Sequence, residues 1–291
     1  MKTASISNPN DVCYPFSKEW YDDPYILYHG TSHVYSESIE KNGWNVNEQP
    51  YEIDDFQNIC KLFEDIGWDG TPKNSGHSVL RSFTVGGNDD YVDVKPASFS
   101  QNYWTARNYS RNIGGESIHY LFLAIEDILN ISENKQLQNE HRDFITTELN
   151  ELLELQKNSK NAESPSYGIN RYQIFLDNFS LDFFDNAKIT ATKILKKYEI
   201  LKETHFPVVY ALKVNPEWFE NHEFEFDDQV GKNIEIRAQM NIPTSSIIAR
   251  MDFPKGIEHM TVYENGPQPV LWDKTQWNET CVERKTLNFK I

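Results

Sequence analysis

Three short segments carry residue types that can do chemistry. In Leu27-Tyr28-His29-Gly30-Thr31-Ser32 an apolar run delivers a His, then a Gly, then hydroxyls. A Gly at the end of a strand lets a ligand approach the backbone closely. His29 can donate to a sugar hydroxyl, and the Gly30 amide and carbonyl can pair with a flat carboxamide. The same residues suit an ordinary strand-to-helix turn with Thr31 or Ser32 as the helix cap. The second segment is Ser98-Phe99-Ser100, followed by Ala106 and Tyr109. Hydroxyls at a strand end, with an aromatic on the next helix, can line a pocket for a planar heterocycle. The alternative makes Phe99 and Tyr109 core aromatics and Ser100 an N-cap. The third is Glu235 in Ile234-Glu235-Ile236-Arg237-Ala238, followed by Ile242-Pro243 and Ile247. A carboxylate amid β-branched residues is either a partly buried functional acid or a solvent-facing position on a two-faced strand.

The elements that must hold these residues are strands and short helices. Tyr25 to Tyr28 reads as a strand that stops at His29-Gly30-Thr31-Ser32, and a short helix follows, capped at Asn42-Gly43. Ile53, Phe56, Ile59, Cys60, Phe63 and Ile66 recur at helical spacing up to Gly67. Val79 to Val85 and Pro96 to Ser100 read as strands, and Trp104 to Tyr109 as a helix before Gly114-Gly115. Residues 116–204 repeat apolar positions at helical spacing, with a polar break from Asn158 to Gly168. Strand texture returns at Val208–Val214, Ile234–Ala238 and Ser245–Ala249, and as short pieces at Met260–Tyr263 and Pro269–Trp272. Residues 217–228 hold six carboxylates in twelve positions and read as a solvated, mobile stretch. The expected organisation is a mixed frame with an inserted helical subdomain: an irregular N-terminal arm over 1–23, a first frame segment over 24–115, helices over 116–204, and a second frame segment with a C-terminal extension over 205–291.

Composition removes several function classes. Aromatics are 13% of the 291 residues, which excludes a disordered low-complexity chain. No apolar stretch approaches the length of a membrane span, and the first twenty residues lack the apolar core of a secretory signal. A cytoplasmic protein without a membrane partner is expected. The 44 acidic residues against 28 basic ones, net charge -16, disfavour wholesale capture of a nucleic-acid backbone. Cys13, Cys60 and Cys281 are too few and too scattered for a zinc site or a disulfide framework, so no metal is expected.

Taken together and in order, the three segments resemble the motifs of ADP-ribosyltransferases of the histidine-first branch, shared by diphtheria toxin and the poly(ADP-ribose) polymerases. The first motif is a strand ending in His-Gly-Thr/Ser, matched by His29-Gly30-Thr31-Ser32. The second is a strand followed by a helix with Ala-x-x-Tyr, matched by Ala97-Ser98-Phe99-Ser100 and Ala106-Arg107-Asn108-Tyr109. The third is Glu on a strand, then Ile-Pro and a further Ile, matched by Glu235, Ile242-Pro243 and Ile247. The family usually carries Tyr where Ser98 stands, and Tyr103 is a nearby substitute. Asn233 occupies the position two before the Glu, where arginine-modifying relatives often have Glu.

The resemblance implies an α+β fold with a split mixed β-sheet. It implies that NAD is the substrate, that ADP-ribose passes to a macromolecular acceptor, protein or nucleic acid, and that nicotinamide leaves. His29 would bond the adenine-side ribose with help from Thr31, and the Gly30 backbone would hold the nicotinamide amide. Ser98, Phe99 and Ser100 would line the pocket, Tyr109 would stack on the nicotinamide, and Glu235 would accept from the 2′-hydroxyl of its ribose. An active transferase in its own cytoplasm endangers the cell, so a toxin or effector with an inhibitory, antitoxin-like partner is a further expectation. The competing readings are NAD glycohydrolysis on the same fold and a non-catalytic interaction module. Removal of an RNA 2′-phosphate is disfavoured, because Arg81 and Arg107 supply few cations.

Overall fold

The apolar runs become seven strands among the described residues: β1 (Lys2–Ser5), β2 (Ile26–Ser32), β3 (Ala97–Ser100), β4 (Pro207–Lys213), β5 (Phe224–Asp227), β6 (Glu235–Ala238) and β7 (Ile247–Asp252). The helices are α1 (Ser36–Asn42), α2 (Ile53–Asp65), α3 (Tyr103–Ser110), α4 (Glu116–Glu133), α5 (Lys135–Asn158), α6 (Glu163–Asn178), α7 (Leu181–Tyr198), α8 (Ile200–Thr204) and α9 (Glu217–Glu220). This computed structural model describes residues 2–5, 16–21, 23, 25–45, 51–71, 97–158, 163–227 and 235–253. Val79–Val85, the pieces after residue 254, Arg81 and Asn233 lie outside them. The fold is α+β, as expected.

One unit contains the described residues of Met1–Pro50, Asp93–Glu116 and Leu201–Ile291. Its sheet runs β1-β7-β4-β2-β3-β6-β5, with β1 parallel to β7 and every other pair antiparallel. Alternation along β2 and β4 gives it two apolar faces. Ile26, Tyr28, Val209 and Ala211 face Tyr103 and Ala106 of α3. Leu27, Tyr210 and Leu212 share the other side with Phe99, Ile236 and Ile39 of α1.

The sheet is joined most narrowly between β2 and β3. β2 pairs with β4 at seven positions but with β3 at one, Tyr28 opposite Ser100. Beyond that pair the β1-β7-β4-β2 half and the β3-β6-β5 half part company.

Several elements depart from the sequence reading. The 1–23 segment is not simply an irregular arm. Lys2–Ser5 adds a strand to the edge of β7, and Phe16 is buried against Tyr28 and Tyr103. β2 does not stop at His29 but runs on to Ser32, because β4 supplies partners along its whole length. The acidic stretch is structured over its described residues, 217–227. Trp218 stacks on Phe224 with centroids 5.3 Å apart, and β5 pairs with β6, so its aromatics anchor what its carboxylates alone would leave solvated. The last strand starts at Ile247 rather than Ser245, because Pro243 opens a 3-10 turn over Thr244–Ser246.

The other unit contains the described residues of Tyr51–Val92 and Ser117–Ile200. It is helical and takes in α2, which packs on α6 and α7 and so joins the helices earlier in the chain than the 116–204 boundary implies. Phe56, Ile59, Cys60 and Phe63 form its buried stripe. The C-terminal carbonyls of α2 are capped from outside: His141 Nε2 donates to the Ile66 carbonyl at 2.8 Å and Asn178 Nδ2 to Asp65 at 2.7 Å. Buried Asp127 accepts from the Thr71 amide at 3.2 Å and its hydroxyl at 3.0 Å. The polar break before Gly168 is shorter than its composition suggests. α6 starts at Glu163, and a Cβ on Gly168 would lie 2.9 Å from Leu152, so the glycine serves α5–α6 packing.

Candidate functional site

The site begins at the parting of β2 and β3. Hydrogen bonds from Val214 N–H to Tyr25 O and from His33 N–H to Phe206 O show that odd-numbered residues of β2 direct their backbone groups to β4. Even-numbered residues therefore face β3. Tyr28 finds Ser100 there. Two residues on, continued register would set Gly30 opposite Ser98. Instead His29 Nδ1–H donates to the Ser98 carbonyl at 2.6 Å. The imidazole takes the acceptor that a further rung would use, and the Gly30 amide and carbonyl face the edge that β3 has left.

His29 itself is partly exposed and wedged among aromatics, with Trp44 at 4.0 Å and Phe99 at 5.3 Å between ring centroids. Desolvation lowers its pKa to about 4, with the Ser98 bond opposing that shift. The ring is neutral near pH 7. A carbonyl cannot donate, so the proton sits on Nδ1, and Nε2 is left as an acceptor. Nε2 of His29 is thus equipped to accept a hydrogen bond, not to donate one. Trp44 is held by a two-way backbone bridge to Ile242, at 2.8 and 2.9 Å. The Ile-Pro of the third motif therefore fixes the wall of the first.

On the opposite face α3 crosses Gly30. A Cβ there would lie 1.6 Å from the Ala106 carbonyl oxygen, so only glycine permits the crossing. Tyr109, on this helix, is 44% exposed and is not a core aromatic. Phe99 and Tyr103 are buried. Phe99 packs behind His29, and Tyr103, the nearby substitute for the motif tyrosine at Ser98, sits in a core cluster with Phe16, Tyr21 and Tyr28. Ser100 does not cap α3: Asn102 does, accepting from Trp104 N–H at 2.8 Å, while Ser100 Oγ accepts from Asn102 N–H at 3.0 Å. Thr31 and Ser32 are buried, and Ser32 Oγ bonds His205 Nδ1 at 2.9 Å instead of capping a helix.

Glu235 is the first residue of β6 and stands opposite Ser100. The three motifs therefore lie on neighbouring strands, β2, β3 and β6, with α3 over the first. The His29 ring and α3 are on opposite faces of β2. A ligand touching both lies along its open edge. Trp44 and the Ser98 carbonyl escape a sequence reading, since neither follows from a local pattern; the turn glycine Gly43, at φ 78°, was the visible sign of a close approach near Trp44. Among the described residues no group of three or more His, Cys, Asp or Glu side chains is placed to hold a metal, and no helix is long and apolar enough to cross a membrane. No protein family, curated protein or solved structure matches the chain.

Proposed function

We propose that the chain is an NAD-dependent ADP-ribosyltransferase with the split-sheet fold of that superfamily, acting on a macromolecular acceptor. The observation that carries the reading is the parting of β2 from β3 at His29-Gly30, which frees one backbone edge for a carboxamide beside a neutral His acceptor.

In this reading the Gly30 amide and carbonyl pair with the nicotinamide carboxamide, and Tyr109 stacks on its ring. His29 Nε2 accepts from a ribose hydroxyl. When the bond between ribose C1′ and nicotinamide nitrogen breaks, the electron pair leaves with nicotinamide and positive charge develops on the sugar. Glu235 supplies the carboxylate that stabilises that charge. The acceptor then bonds C1′ and gives up a proton.

Incubation with NAD labelled in its adenylate half and a cell extract tests this. Label joined covalently to protein or nucleic acid is the expected result and identifies the acceptor class. Nicotinamide release without label transfer would instead make the chain a glycohydrolase, and neither release nor transfer would leave an interaction module.

A further inference from the structure

Gln101 lies between the end of β3 and the Asn102 cap of α3. It is 9% exposed, and neither Nε2 nor Oε1 has a hydrogen-bond partner among the described residues. Its neighbours Ser100 and Asn102 are both satisfied. Burying a carboxamide with its donor and acceptor unused destabilises a fold, and such groups are rare enough to need a reason.

The surroundings suggest the reason. Gln101 is one residue past Ser100, which stands opposite Glu235. Strand spacing and rise put the Cα atoms of residues 101 and 235 about 6 Å apart. A carboxamide matches two adjacent hydroxyls: one O–H donates to Oε1, and the oxygen of the other accepts from Nε2–H. A ribose carries such a pair on C2′ and C3′.

We propose that Gln101 binds the 2′,3′-diol of the ribose from which nicotinamide leaves and selects for the intact sugar. The inference rests on the transferase reading above. The 2′-oxygen accepts from Gln101 Nε2–H while its own proton goes to Glu235, and the 3′-hydroxyl donates to Oε1. Both amide atoms are out of contact with water in the free protein, so the sugar meets them only once β3 shifts.

The test compares the unaltered chain with Gln101→Met, which keeps length and removes the polar atoms. The substrates are NAD and an analogue lacking the 3′-hydroxyl of the nicotinamide ribose; the readouts are nicotinamide release and the melting temperature of the ligand-free protein. The expected result is a higher melting temperature, with kcat/KM for NAD reduced roughly 10- to 100-fold. The unaltered chain should prefer NAD over the analogue by a similar factor, and the variant should not. Gln101→Glu, which keeps an acceptor but loses the donor, should fall between them. A lower melting temperature for Gln101→Met, or turnover of NAD within about twofold of the unaltered chain, overturns the role of Gln101 alone. Absence of nicotinamide release from the unaltered chain overturns the transferase reading, and the ribose with it.

Discussion

The imidazole of His29 donates from Nδ1 to the carbonyl of Ser98 at 2.6 Å, where continued register would have brought the amide of Gly30. A side chain thus replaces a backbone rung. The two strands stay attached, yet the edge of β2 beyond Tyr28 is left for another partner. That substitution joins the fold to the proposed chemistry, because it sets the imidazole tautomer and opens the glycine edge together.

The neutral state of His29 predicts a pH dependence of stability. Its pKa in the folded chain is about 4, against 6.5 when unfolded, so the unfolded chain binds more protons between those values. Stability is therefore fully present above pH 6.5 and is lost as pH falls toward 4, by on the order of 3 kcal/mol from this residue. His33, His119 and His141 are shifted the same way by burial. Denaturant melts at pH 7 and pH 5 should show a smaller difference for His29→Asn than for the unaltered chain; equal differences would contradict a neutral, desolvated imidazole.

Gly30→Ala is expected to be severely destabilising. The added Cβ would meet the Ala106 carbonyl at 1.6 Å and the Ser110 nitrogen at 2.7 Å, both backbone atoms of α3. The helix must move, at a cost of at least about 3 kcal/mol. A thermal melt within a degree or two of the unaltered protein would show that α3 does not cross the strand so closely.

Tyr109 separates function from folding. At 44% exposure, its replacement by Ala should lower stability by less than about 1 kcal/mol. Loss of a stacking partner should reduce NAD turnover about tenfold, while Tyr109→Phe keeps most of it. Calorimetry and nicotinamide release on the same preparations check both halves.

In the helical unit the Tyr198 hydroxyl donates to Asp55 Oδ2 at 2.7 Å and accepts from the Glu52 amide at 3.1 Å; Lys197 also bonds Asp55, at 2.8 Å. Tyr198→Phe removes both hydroxyl bonds and should cost about 1–2 kcal/mol in denaturant unfolding, with no effect on NAD turnover. An unchanged midpoint would mean that the hydroxyl is not structural.

Local pattern revealed much of this molecule. The stripe of α2, the runs of β2, β4 and β6, and the glycine caps at Gly43 and Gly67 all follow from residue type and spacing. What stayed hidden depends on partners distant in the chain. Nothing in Lys2–Ser5 announces a strand until the edge of β7 is there to receive it. Nor does Leu27–Ser32 reveal where β2 loses β3, since that requires Ser98, or that Trp44 will close on His29, since that requires Ile242. In the acidic stretch the Trp218–Phe224 stack, not charge density, decides the structure.

The most direct measurement is release of nicotinamide from NAD by the purified chain and by Glu235→Gln, at equal concentration and with matched thermal stability. The account predicts steady release by the unaltered protein and a fall of about 10²–10³-fold in the variant, the size expected when a preorganised charge is removed from a developing cation. Release that is absent from the unaltered chain, or equal in the two proteins, would contradict it.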